Sequence, residues 1–128
     1  MDVNEFLEGM LKSVAGIEES METPFEDRVV GRHENDVTGL CVSTMRVFDS
    51  DRPFETAVLH PAFAKGNWVV VEGYSDQETA AKGHDKWLGV MTAEKLPGAL
   101  VDVSTSFPAK MSRELGDPMI FEKGNETK

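Results

Sequence analysis

Phe54-Glu55-Thr56-Ala57-Val58-Leu59-His60, Pro61-Ala62-Phe63-Ala64-Lys65-Gly66-Asn67 and Trp68-Val69-Val70-Val71-Glu72-Gly73-Tyr74 follow one another and decide the fold. The outer two segments are rich in β-branched and aromatic residues and the middle one in turn formers, so they read as two strands joined by a tight connection. Ser75 or Asp76 then caps a helix, with Glu78 three residues after Ser75 as in a capping box. Along that helix Ala80, Ala81, His84, Trp87, Leu88 and Met91 fall on or near one side, which suits packing on a sheet built around Val69 and Val71. It is expected to run from Asp76 to about Lys95, stopped by Pro97-Gly98. Gly83 and Gly89 each weaken a helix by ~1 kcal/mol relative to Ala, and their use here points to close approach to a strand.

Upstream, Val29-Val30-Gly31-Arg32-His33 is a short strand candidate, Glu34-Asn35-Asp36 a polar turn, and residues 37–48 a longer strand rich in Val, Thr and Cys. On the longer strand Leu40, Val42 and Phe48 share a face with Thr38, Thr44 and Arg46. Asp49-Ser50-Asp51-Arg52-Pro53 is a turn by composition. Connections this short favour antiparallel neighbours, so the four strands should form a meander. Leu100-Val101-Asp102-Val103 is a candidate fifth strand, and residues 108–128 read as mostly turn-like, with an apolar cluster at Met119-Ile120-Phe121. The fold class expected is α+β: a four- to five-stranded, mainly antiparallel sheet with one packed helix and an N-terminal helical arm. The domain occupies residues 28–122 and leaves a polar tail at 123–128.

The net charge of −10 is unevenly spread. Residues 1–27 hold eight acids against Lys12 alone, a local charge of −7, whereas the remaining residues are close to balanced. Affinity for nucleic acid is supplied largely by Lys and Arg, so direct phosphate binding by this surface is not expected, and a basic protein surface is the better match. The acidic segment opens with an amphipathic helix over residues 1–16. Asp2 is placed to cap it, and Val3, Phe6, Leu7, Met10, Leu11 and Val14 recur at the spacing of one helix face. Gly16 is a plausible stop, and residues 17–27, which contain Pro24 and no settled period, read as an acidic linker. A helix this short is marginal alone in water, so its stripe must be buried on something. Two readings stand open: packing on the chain's own core, or an arm that docks on another subunit.

A chain of 128 residues, 40% apolar, accommodates one core. No apolar run approaches the ~20 residues of a membrane span. The opening Met1-Asp2-Val3-Asn4-Glu5 lacks a basic secretory start, so a soluble protein of the cytoplasm, or one assembled from cytoplasmic parts, is expected.

The residues that could carry chemistry are few. His33, His60, His84 and Cys41 show no metal-ligand spacing, and His33-Glu34-Asn35-Asp36 reads as a solvated turn. His84 is expected to be buried and bonded to a backbone carbonyl. His60, before Pro61, reads as an exposed residue in extended conformation. Cys41 reads as a small core hydrophobe. Trp68, Tyr74 and Trp87 are the aromatic set of a base-stacking platform, but the lack of basic neighbours favours core packing. No metal, cofactor or catalytic residue is expected in this chain.

The series Phe54-Glu55-Thr56, Trp68, Tyr74-Ser75-Asp76, Ala80-Ala81 and Gly83-His84 resembles a group of small proteins of tailed bacteriophages, in which a hairpin opening on aromatic-Glu-Thr leads to a tyrosine and a helix containing Gly-His. The resemblance covers about a third of the chain and implies no catalytic role for any residue here. It implies a non-enzymatic structural or assembly protein, a minor component of head, neck or tail, acting through contacts with other protein subunits in the virion. The alternative it leaves open is an early accessory protein in the host cytoplasm that inhibits a host or defence protein through an acidic surface. Either way the interaction residues expected are Val3, Phe6, Leu7, Met10, Leu11 and Val14, with neither nucleic acid nor membrane as partner.

Overall fold

The computed structural model describes residues 2–48, 50–105, 107–116 and 119–124, without the side chains of 16, 17, 19–22 and 107–109. Asp49 of the expected turn and the tail from residue 125 lie outside the described residues. Helix α1 (Val3–Glu22) and a single turn α2 (Phe25–Arg28) precede four strands, β1 (Val29–Asn35), β2 (Leu40–Arg46), β3 (Phe54–Leu59) and β4 (Val69–Tyr74). Helix α3 (Gln77–Thr92), strand β5 (Ala99–Val101), helix α4 (Phe107–Glu114) and strand β6 (Ile120–Glu122) follow. The architecture is α+β: β1 to β4 form an antiparallel sheet in chain order, and β5 pairs with β6 in a separate two-stranded sheet.

The meander follows from its turns. Asn35 accepts the backbone N–H groups of Val37 and Thr38 on Oδ1, and Gly39, at φ +79°, completes the reversal into β2. This turn takes the residues read as the start of the long strand, so β2 begins at Leu40 and Val37 lies 95% exposed. Arg32 pairs with Ser43, Ser43 with Ala57, and Phe54 with Tyr74. Two register shifts, at Val30 in β1 and opposite Thr56/Ala57 in β4, add local twist.

Period-2 alternation puts Leu40, Val42 and Thr44 of β2 and Thr56 and Val58 of β3 on the face that meets α3. The core is Leu40, Val42, Val58, Phe63, Val69, Val71, Met91 and Leu100, with Trp87, Leu88, Leu96 and Phe121 packed against it. Asp76 caps α3 by accepting the Thr79 N–H at 2.7 Å, and Ala80, Gly83, His84 and Met91 form its buried side.

Four expectations change. The helix at the N-terminus does not stop at Gly16 but runs to Glu22, through part of the segment read as linker. A single internal Gly costs only ~1 kcal/mol, whereas Pro24 disfavours helical backbone at the residue before it and ends the helix there. The segment around Leu100 does not extend the main sheet; it pairs with β6, and the chain beyond it meets the β4 edge through Val103 N–H to the Val70 carbonyl at 2.8 Å. Residues 107–114 form α4 rather than turns. His60 is buried, not exposed.

Candidate functional site

The densest set of titratable and hydroxyl groups lies between the sheet and α3. Thr44 Oγ1 is 2.8 Å from His84 Nδ1 and 2.6 Å from Thr56 Oγ1, which is 2.9 Å from the Tyr74 hydroxyl. Tyr74 in turn donates to Glu72 Oε1 at 3.4 Å. Hydrogen counting fixes the direction of every link. Glu72 can only accept, so the single Tyr74 proton points to it, and Tyr74 accepts from Thr56. Thr56 then accepts from Thr44, and Thr44 from His84. The histidine must therefore carry its proton on Nδ1, against the expectation of a backbone carbonyl partner.

Glu72 closes the chain and also accepts from Trp87 Nε1 at 2.8 Å and Lys86 Nζ at 2.5 Å. Two glycines let the layers approach. A Cβ on Gly31 would lie 2.7–2.9 Å from the His84 ring, and one on Gly83 would collide with the Tyr74 hydroxyl and ring. Burial pushes Tyr74 up to about 12 and holds His84 below its ordinary value, with His33 adding to the second effect and Asp85 opposing it. Burial would raise Glu72, but the hydrogen bonds from Lys86 and Trp87 outweigh it and leave it lowered. Each hydroxyl proton in this chain is committed to a neighbour within the layer, so what the arrangement does chemically is lock α3 to β2, β3 and β4.

The other candidates sit apart. His60 accepts the Ala62 N–H on Nδ1 at 3.0 Å and borders a cleft of about 760 Å³ floored by Leu40 and Met91 and lined, among the described residues, by no charged side chain. Buried polar groups need partners, and this local bond is what allows the pre-proline histidine inside. His33 Nε2 is buried with no hydrogen-bond partner among the described residues. Cys41 is buried, and burial pushes its thiol up. Arg32 lies 5.9 Å from the rings of both Phe25 and Trp68 on the sheet face opposite α3. Among the described residues no three His, Cys, Asp or Glu side chains gather in a way that could hold a metal.

The six residues singled out on α1 behave differently from everything above. Asp2 caps the helix, its Oδ1 accepting the Glu5 N–H at 2.8 Å. Exposure is 73% for Val3, 38% for Phe6, 45% for Leu7, 40% for Met10, 67% for Leu11 and 48% for Val14. Val3 and Phe6 border a shallow depression shared with Met111 and Leu115 at the end of α4. Lys12 reaches Asp51 at 3.3 Å, and Lys110 of α4 reaches the other oxygen of the same carboxylate at 3.3 Å. These two contacts hold Asp51 below the usual carboxylate range. The structure thus brings the six residues onto one helix and leaves each of them partly exposed, Val3 and Leu11 the most. Sequence reading missed that α4 stands beside them.

No family model, no curated protein and no solved structure matches the chain. Among the described residues no helix is long and apolar enough to cross a membrane.

Proposed function

We propose that this chain is a non-enzymatic assembly protein that works through protein–protein contacts made by α1, and that its setting is the particle of a tailed bacteriophage. The observation that supports the contact role is the uncovered stripe: six apolar side chains on one helix, each 38% exposed or more. Burying a fully exposed Val, Leu, Phe or Met side chain is worth ~1.5–3 kcal/mol, so a partner that covers the stripe gains the part of that which the remaining exposure of each side chain leaves. The phage setting comes from the hairpin and Gly-His helix resemblance. Terminal arms that interlock neighbouring subunits are the mode of action this reading assigns to α1.

The concentration of acid in residues 1–27 favours a second setting, a cytoplasmic accessory protein that covers a basic groove of a host or defence protein. Mass spectrometry of purified particles separates the two: the virion reading expects the chain at stoichiometric levels, and its absence there contradicts that reading. The contact role itself is tested by deleting residues 1–22. The expected result is a folded sheet–α3 domain that no longer assembles; an unfolded product contradicts it.

A further inference from the structure

The cleft beside His60 is built from the β1–β2 turn, the end of α3, the bend after β3 and Gly124. Its floor, Leu40 and Met91, is buried and apolar, and its volume of about 760 Å³ is that of a small-molecule site. The polar groups on its wall have most of their acceptors already in use. His60 is only 8% exposed, and because its Nδ1 accepts the Ala62 N–H, the neutral ring carries its proton on Nε2. Among the described residues that N–H has no acceptor, and the cleft is the open space the ring borders. The ring is also held in place: it stands edge-on to Phe63 at 5.9 Å between centroids, and its loop is pinned by Phe63 N–H to the His60 carbonyl and Gly124 N–H to the Ala62 carbonyl. Asn35 spends Oδ1 on the N–H groups of Val37 and Thr38 and keeps its NH2. Thr38 Oγ1 accepts the Leu40 N–H at 3.3 Å and keeps its O–H, while Thr92 spends its own O–H on the Leu88 carbonyl at 2.6 Å. The side-chain groups left over are thus chiefly donors.

We propose that this cleft binds a small neutral molecule with an apolar body and a carbonyl-type acceptor, which takes the His60 Nε2–H while the body lies on Leu40 and Met91. The proposal is independent of the contact role of α1. A carboxylate or phosphate would meet no cation among the described lining residues, and the chain's net charge of −10 repels it. A cation would lose its hydration without finding a carboxylate. A pure hydrocarbon would fill the floor but strip water from the His60 donor and leave it unpaired.

The test titrates the intact chain with three probes of one size: acetophenone, ethylbenzene and benzoate. Binding is read by NMR from the Met91 methyl and the His60 ring nitrogens, with the Met10 methyl on α1 reporting unspecific attachment. Acetophenone is expected to shift Met91 and His60 Nε2 together and to leave Met10 in place. Ethylbenzene should reach Met91 without the Nε2 shift, and benzoate should move neither. His60→Asn keeps an oxygen that can accept the Ala62 N–H but has no donor beyond it. It should weaken acetophenone by about fivefold more than ethylbenzene, the worth of one hydrogen bond. Should that variant fail to fold, the Nε2 shift in the parent chain decides. The proposal is overturned if acetophenone leaves Met91 or Nε2 unmoved up to its solubility limit, if it moves Met10 equally, or if benzoate binds as tightly. It is also overturned if the folded variant weakens both neutral probes alike. Binding that appears only after residues 125–128 are deleted would mean that the chain's own last residues are the occupant, which overturns it too.

Discussion

Two amphipathic helices of this protein meet opposite fates. α3 lies on the sheet with Ala80, His84 and Met91 buried, while α1 carries a longer apolar stripe and keeps it in solvent. What separates them is a complementary surface. Opposite α3, Gly31 makes room for the His84 ring, Gly83 makes room for Tyr74, and Thr44 and Thr56 supply hydrogen-bond partners for the polar groups that burial brings in. Opposite α1 stand the end of α4 and the Asp51 carboxylate that Lys12 shares with Lys110. Apolar spacing marks a helix as needing a partner surface; the other side of the contact decides where that partner is.

The largest expected effect falls where the packed layer is tightest. Trp87→Ala removes a half-buried ring and the indole donor to Glu72, and should cost about 3 kcal/mol, the low end for deleting a tryptophan. Urea denaturation checks it, and a variant that unfolds like the parent would mean α3 is not held as described. Gly83→Ala places a methyl where the Tyr74 ring lies and should cost roughly 2–3 kcal/mol by overpacking, again by urea. Thr56→Val keeps shape but removes the link between Thr44 and Tyr74, with an expected loss of about 1–2 kcal/mol in the same assay.

A smaller effect should appear with pH. His84 is held below its ordinary 6.5 by burial, so above pH 6.5 it is neutral folded or unfolded and its contribution is fully present. As pH falls below 6.5 the unfolded chain takes up the proton first, and stability declines toward the depressed folded value. His84→Gln should flatten that part of a stability-against-pH curve; an unchanged slope would place the titration elsewhere. The smallest effect belongs to the other region: Leu11→Ser should change stability by no more than about 0.5 kcal/mol, as surface positions do, in a thermal melt that would show a clear drop if Leu11 were core.

The residues of β3, β4 and α3 announced themselves because alternation, a turn cluster, a capping pair and a helical spacing agree with one another over a continuous stretch. The hydroxyl chain was half visible: Thr44 and Thr56 stand on the same faces as Val42 and Val58, and polar residues in an apolar row call for a partner. That His84 would supply it depends on a register between β2 and α3 that no local pattern encodes. α4 was hidden by Pro108, which reads as a turn signal yet is well tolerated in the first turn of a helix. β5 and β6, three residues each, are too short for alternation to register and exist by pairing with each other. The stripe of α1 was legible residue by residue, but its exposure was not, because exposure depends on what the rest of the chain leaves uncovered.

If α1 works in protein contacts as we propose, the sheet with α3 should be stable by itself and α1 should gain protection only when a partner covers it. Native-state hydrogen exchange on the intact chain measures both regions at once. Amides of β2, β3 and α3 are expected to exchange only through global unfolding, and those of α1 orders of magnitude faster until a partner covers the stripe. Equal protection of α1 and α3 in the isolated chain would contradict the account.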